Sequence, residues 1–380
     1  MTKKIALVLS GGGARAAYQV GVLKAIAQIL PRGAHNPFAI ICGTSAGAIN
    51  SAALATHGGN YRSGVRGLDY VWSHLTSEQI YETDYFRSLR TTGRWLNNML
   101  FRQELELEEP ALLDTQPLRE LLSRIIRFDR IQRAIDRQDL QALCISASSY
   151  TSARSIYFFQ GLADIPNWHR AKAWGIRTRL NLDHILASAA IPLVFPSVRI
   201  ENEYFGDGAI GQVSPLSPAI QMGADRVLVV GVARSDSRQA LEIDPEKVQS
   251  PGFAEISGHL FERAFLDTLE GDMERVTQIN RMLELVPMPQ AEKESLLGLR
   301  HVDVINLTPS VPLDSLAIHH LEALPRSLRF FLQRNQEEGE AASLLSFLLF
   351  EGVYCQELIR QGFDDAMAIE ARLNEFLLGP

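Results

Sequence analysis

Apolar positions in the first sixty residues switch between two periods. Lys4 to Leu9 is a short apolar run with β-branched members that stops at Ser10-Gly11-Gly12-Gly13, the pattern of a buried strand ending in a glycine turn. From Arg15 the spacing becomes helical, with Val20, Leu23, Ala27 and Leu30 on one face and Pro31 as the stop. A second strand, Phe38 to Cys42, ends at Gly43-Thr44-Ser45-Ala46-Gly47 and leads into a helix over Ala48 to Ala55, closed by Gly58-Gly59. Strand, small-residue turn and helix thus occur twice. That alternation predicts an α/β fold with a mostly parallel sheet and a site at the carboxyl ends of its strands.

Further strand-like runs are Ala142 to Ser149, Ser155 to Phe159, Val198 to Phe205, Arg226 to Ala233 and Val302 to Leu307. They predict a sheet of about six strands. Residues 70–140 are rich in helix formers, including Glu104 to Glu109, Leu118 to Ile126 and Ile131 to Arg137, and read as a helical insertion or lid. Residues 235–300, polar and then helical, form a second insertion, and 312–377 read as wholly helical. The expected organisation is one three-layer α/β/α domain over residues 1–310, with a helical region over 311–380 on or beside it.

The 380 residues are 46% hydrophobic and 21% charged, which excludes disordered, collagenous and coiled-coil chains. Cys42, Cys144 and Cys355 are far apart with no C-x-x-C, so they read as buried small hydrophobes in a reducing compartment. The run before Gly11 is too short for a secretory signal, and Leu344 to Phe350 falls far short of the ~20 apolar residues that span a bilayer. A cytoplasmic protein is expected. The net charge of -7 conceals an asymmetry: the first 68 residues carry seven Lys and Arg and no acid, leaving the remainder at -14. Leu321, Leu324, Leu328, Phe331 and Leu332 beside Arg326, Arg329 and Arg334, and then Leu344 to Phe350, read either as a stripe packed on the sheet or, together with the basic N-terminal segment, as a surface for peripheral docking on an anionic membrane.

Gly43-x-Ser45-x-Gly47 between strand and helix is a nucleophile-elbow arrangement, in which glycines permit the backbone crowding that exposes a serine hydroxyl. The following helix aims its N-terminus at that serine, where negative charge on an attacked carbonyl is stabilised. Gly11-Gly12-Gly13-Ala14-Arg15 is flexible backbone able to present several N–H groups to one oxygen. Gly11-x-Gly13-x-x-Ala16 also fits a dinucleotide fingerprint, but the acid-free stretch lacks the ribose-binding carboxylate about 20 positions on. For the base, Gly206-Asp207-Gly208-Ala209 offers a carboxylate on a glycine turn; His184, His259, His301, His319 and His320 offer the other route. Asp183 reads as the cap of a helix over Ile185 to Ala189.

Together these elements resemble the patatin-like phospholipase family. The resemblance rests on Gly11-Gly12-Gly13-Ala14-Arg15-Ala16 with Tyr18-Gln19-Val20-Gly21, on Gly43-Thr44-Ser45-Ala46-Gly47, on Asp207-Gly208-Ala209, and on Ala187-Ser188-Ala189-Ala190-Ile191-Pro192 through Phe195-Pro196. Ala16 and Leu193 depart from the family's common small residues, so the choice of lipid does not transfer. The resemblance implies a patatin-like fold and a serine acyl hydrolase acting on lipid esters: phospholipid, lysophospholipid or acylglycerol. Ser45 becomes the nucleophile, Asp207 the base of a Ser-Asp dyad, and Gly11, Gly12, Gly13 and Arg15 the oxyanion region, with no cofactor, metal or nucleic-acid partner. The alternatives are an α/β-hydrolase esterase with a Ser-His-Asp triad and a non-catalytic lipid-binding regulator.

Overall fold

The computed structural model describes residues 3–82, 113–192, 194–211, 214–233, 253–323 and 345–379. Its sheet is built from β1 (Ile5–Leu9), β2 (Ile40–Thr44), β3 (Ala142–Ser149), β4 (Arg154–Gly161), β5 (Trp168–His169), β6 (Ala173–Arg177), β7 (Val198–Ile200), β8 (Glu203–Asp207), β9 (Arg226–Val230) and β10 (Asp303–Leu307). The strand order is β10-β9-β1-β2-β3-β4-β6-β5, and β8 pairs with both β3 and β7. From β10 through β3 every neighbour is parallel; antiparallel pairs enter at β3–β4, β3–β8, β5–β6 and β7–β8.

The sheet was expected to hold about six strands; the ten described exceed even the seven strand-like runs of the sequence, for two reasons. Val198 to Phe205 is a hairpin rather than one strand, turning at Glu201 with φ 53°. Strands β5 and β6 lie at the sheet edge and are short and only partly buried, so they carry no apolar run to read.

Side chains alternate across β1, and this sorts the chain into layers. Ile5, Leu7 and Leu9 face a cluster that includes α1 (Ala17–Ile29), α2 (Ala46–Ala55) and α3 (Tyr61–Ser73). Ala6 and Val8 face the opposite layer, where Leu269 and Val276 of a long helix (Phe253–Leu285) pack with Leu216 and Met222. The helices expected within 70–140 are α4 (Gln116–Ile125) and α5 (Phe128–Asp136); Glu104 to Glu109 lie outside the described residues. Next come α6 (Leu182–Ser188) and that long helix, α7, and then α8 (Gly352–Ala368) and α9 (Glu370–Leu378).

Helix α8 joins the first layer by crossing α1 at backbone contact. A Cβ on Gly21 would sit 2.0 Å from the Ile359 carbonyl, and one on Gly362 2.0 Å from that of Tyr18. The C-terminal region is not wholly helical, since Leu349, Phe350 and Glu351 separate the helical residues 345–348 from α8. Residues Leu345 to Phe350 are all buried, so this stretch belongs to the core and does not lie on an interface. Leu324, Leu328, Phe331, Leu332, Arg326, Arg329, Arg334 and Leu344 are outside the described residues.

Several of the basic N-terminal residues are engaged within the molecule. Arg15 is buried, Lys24 pairs with Asp69 at 3.0 Å, and Arg62 donates to the Leu30 carbonyl at 2.7 Å. All three cysteines are free and buried, with Cys42 opposite Cys144 across β2 and β3. Among the described residues, no helix is long and apolar enough to cross a membrane.

Candidate active site

Strand β3 sets the geometry. On its β2 side Thr44 stands opposite Ser146, and beyond the end of β2 the same side is taken by β8, with Asp207 opposite Ala147. Ser45 and Asp207 therefore meet one register step apart. The Ser45 hydroxyl donates to Asp207 Oδ2 at 2.5 Å, and both residues are almost fully buried, at 2% and 1% exposure.

Ser45 sits at φ 55°, a left-handed conformation that is costly for a residue with a Cβ and is held here by its surroundings. Its N–H donates to Ser188 Oγ at 2.9 Å, and its carbonyl accepts from the Ala48 N–H at 2.8 Å as α2 begins. Glycine at 47 is required because a Cβ there would lie 2.3 Å from the Leu9 carbonyl and 2.5 Å from that of Ser10. That contact seats the elbow on the root of the glycine-rich loop.

Asp207 is fixed through three groups besides Ser45. Its N–H donates to the Ala190 carbonyl at 2.8 Å, its Oδ1 accepts from the Ala209 N–H at 2.8 Å, and its strand is paired to β3. Burial pushes its carboxyl up to about 7, while the hydrogen bonds from Ser45 and Ala209 pull the other way. The carboxyl therefore titrates in the neutral range, as a proton acceptor at that pH requires.

Among the described residues no histidine reaches Ser45. His184 bonds to Asn181 through Nδ1 at 2.7 Å and stands edge-on to Phe158, and burial pushes it down to about 4. Asn181, not Asp183, caps α6; Asp183 accepts from Arg119 at 2.7 Å instead. Among the described residues, no group of three or more His, Cys, Asp or Glu converges at metal-ligand range.

The glycine-rich loop splits into two roles. Gly13, at φ 54°, lines the same crevice as Ser45, and Gly12, at φ 156°, abuts Val232. Gly11 begins the loop after Ser10, whose N–H donates to the Val230 carbonyl at 3.3 Å. Arg15, like Gly11 and Gly12, is not among the residues that line the crevice: its Nε donates to Ser346 Oγ at 2.7 Å, and its guanidinium lies 4.1 Å over the Phe347 ring.

The crevice that Ser45 lines is apolar, walled by Ile49, Trp72, Leu118, Leu122, Ile191 and Phe350 among others, and its cavity volume is about 40 Å³. Its shape is that of a narrow slot. Helix α4 supplies one wall, so the 70–140 segment builds the pocket as well as bordering it.

The family profile of patatin-like phospholipases matches residues 7–220, more than half of the chain, and spans the loop, the elbow and the aspartate turn. The chain belongs to the patatin-like phospholipase family. Its similarity to the cGAMP-activated phospholipase of Pseudomonas aeruginosa is 29% identity over 209 residues, covering 54% of this chain and 52% of that one. The chain thus spans about half the length of that curated relative. Among solved structures it is similar to VipD from Legionella pneumophila, at 13% identity and TM-score 0.37, covering 98% of this chain and 67% of that one. It is also similar to human GIVD cytosolic phospholipase A2 in complex with methyl gamma-linolenyl fluorophosphonate, at 12% identity and TM-score 0.42, covering 99% of this chain and 59% of that one.

The structure gives bonds at this patatin-like site to Trp72 and Asn50, which lie in none of the motifs, and to Gln19 and Ser188, which lie in motif segments that assigned them no role. Trp72 on the crevice wall donates to Asn50 Oδ1 at 2.8 Å; Asn50 donates to the Ala16 carbonyl at 3.1 Å and to Gln19 at 2.9 Å; Gln19 donates to the Ser10 carbonyl at 2.8 Å. This buried chain ties the crevice to both ends of the glycine-rich loop. Ser188 is the fourth, through its bond to the Ser45 N–H.

Proposed function

We propose that the protein is a serine acyl hydrolase of lipid esters working through a Ser45–Asp207 dyad. The observation that carries this reading is the Ser45–Asp207 hydrogen bond, with Ser45 on the wall of an apolar slot. A fatty acyl chain in that slot brings its ester carbonyl to Ser45 Oγ. Asp207 takes the hydroxyl proton as Oγ bonds to the carbonyl carbon, and the resulting oxyanion faces the Gly11–Gly13 backbone and the N-terminus of α2. Collapse of this intermediate breaks the ester C–O bond, and the departing alcohol takes the proton from Asp207. A water then gives its proton to the same carboxylate and attacks the acyl-serine, releasing the fatty acid and restoring the Ser45 hydroxyl.

The triad alternative has no support at this site, because the hydroxyl is already bonded to a carboxylate and His184 is turned to Asn181. The test is fatty acid release from phospholipid, lysophospholipid and acylglycerol, run beside Ser45→Ala and with fluorophosphonate labelling mapped by peptide mass. Release that depends on Ser45, with the label on Ser45, supports the dyad. Full activity in Ser45→Ala removes it. Saturable lipid binding without turnover by the wild type would establish the non-catalytic alternative.

A further inference from the structure

A second cavity adjoins the slot and is polar where the slot is apolar. Its volume is about 330 Å³, and its polar lining includes Asp114, Thr115, Arg119, Asp183, Ser197 and Arg199. Leu118, Ala189 and Phe195 border both spaces, so the two are separated by a single layer of side chains. Ala190 also lines the polar cavity, and its carbonyl accepts from the Asp207 N–H at 2.8 Å. One wall of this cavity is thus one hydrogen bond from the dyad.

The charges inside are balanced and spread over separate elements. Arg119 on α4 pairs with Asp183 on α6 at 2.7 Å. Arg199 on β7 anchors its Nε on the Glu201 carbonyl at 3.1 Å, and Asp114 Oδ1 accepts from the Gln116 N–H at 2.8 Å. Among the described lining residues, two guanidinium groups and two carboxylates leave no net charge. A purely anionic headgroup gains from the arginines and is opposed by the aspartates, while an uncharged glycerol leaves both signs unanswered. A phosphodiester that also carries an ammonium group complements both signs, because the arginine fork matches phosphate oxygens and a carboxylate matches the amine.

Resting on the lipid-hydrolase reading above, we infer that this cavity is a headgroup subsite for a zwitterionic glycerophospholipid. Arg199 takes the phosphate and Asp114 the ammonium group, while the acyl chain lies in the apolar slot across the Leu118–Ala189–Phe195 divide. The amphipathic substrate is sorted by polarity on the two sides of that divide.

The experiment compares phosphatidylethanolamine, phosphatidylglycerol and diacylglycerol with identical acyl chains, each in neutral detergent micelles. The proteins are wild type, Arg199→Gln and Asp114→Asn; asparagine keeps the acceptor that holds the Gln116 N–H. In Arg199→Gln the ratio of phospholipid to diacylglycerol kcat/KM is expected to fall about tenfold for both phospholipids, mainly through KM. In Asp114→Asn the ratio of phosphatidylethanolamine to phosphatidylglycerol is expected to fall several-fold. Unchanged ratios, or an equal loss on all three substrates, overturn the subsite while leaving the hydrolase standing. No Ser45-dependent hydrolysis of any of the three by the wild type overturns the hydrolase reading and the subsite with it.

Discussion

The Ser45 hydroxyl donates to Asp207 at 2.5 Å across 162 residues of sequence, because β2 and β8 end one register step apart on the same side of β3. The carboxylate that serves as proton acceptor in our proposal is buried, and burial sets its protonation in the neutral range, at about 7. Ester hydrolysis is therefore expected to rise with pH and level off above about 7, as Asp207 loses its proton. In Asp207→Asn, turnover should drop by at least ~10² with no remaining rise in that range. A pH–kcat/KM profile of the two proteins checks this. A rise that persists in Asp207→Asn assigns the titration to another group.

The same burial acts on stability. The folded carboxyl holds its proton to about 7, whereas an unfolded aspartate loses it near 3.8. Between these values the folded state binds more protons, so the Asp207 contribution makes stability fall as pH rises from about 4 to about 7 and stay level beyond. The expected size is at most about 4 kcal/mol. Asp207→Asn cannot ionise, so relative to wild type it should gain stability across that window. Denaturant midpoints for both proteins at pH 5 and pH 8 test the sign: a gap that does not widen in favour of the asparagine variant contradicts it.

Ser45 and Asp207 were legible because each lies on a strand-ending turn whose glycines leave a local trace in the sequence. Trp72 and Asn50 were not, and Gln19 and Ser188 stood in motif segments without a role, because the importance of all four arises in tertiary contacts. Ser188 meets Ser45 from 143 positions away, and the Trp72–Asn50 bond joins two helices. For Arg15 the motif and the fold give different information: its place in a glycine motif suggested the oxyanion region, and its guanidinium bonds Ser346 and lies over Phe347, contacts far along the chain that no local pattern shows. The β1 and β2 strands read clearly because both faces are buried, whereas β5 and β6 lie at a polar edge and have no such pattern.

Trp72 serves two purposes that substitutions can separate. Its ring walls the acyl slot, and its N–H holds Asn50, which in turn holds the glycine-rich loop at Ala16 and, through Gln19, at Ser10. Trp72→Phe keeps most of the wall but leaves Asn50 Oδ1 without that donor, an unsatisfied buried acceptor costing about 1–3 kcal/mol. We expect kcat to fall about tenfold for every acyl length with KM little changed. Trp72→Ala should in addition raise KM, and more so for longer chains. Steady-state kinetics over a series of acyl lengths distinguishes the two roles; an unchanged kcat in Trp72→Phe would show that the hydrogen-bond chain has no hold on the loop.

Residues Ser346 and Phe347 brace the glycine-rich loop from the C-terminal side. Gly13 adopts φ 54°, and a Cβ there would lie 2.2 Å from the Phe347 carbonyl, a backbone atom that no rotamer change can move aside. Two residues on, Arg15 is 2% exposed and is clasped by the Ser346 hydroxyl and the Phe347 ring. If the arginine acts by holding this brace, Arg15→Ala and Ser346→Ala should each lower the melting temperature and kcat, with Ser346→Ala the milder. Residues that share one bond couple, so the double variant should fall short of the sum of the two single losses. If Arg15 instead contacts the reacting ester, Ser346→Ala leaves kcat at the wild-type value and the double variant matches Arg15→Ala in kcat alone. Thermal melts and kcat for the four members of this cycle decide between the two, because a bracing role moves stability and turnover together whereas a contact with the reacting ester moves turnover without any contribution from Ser346.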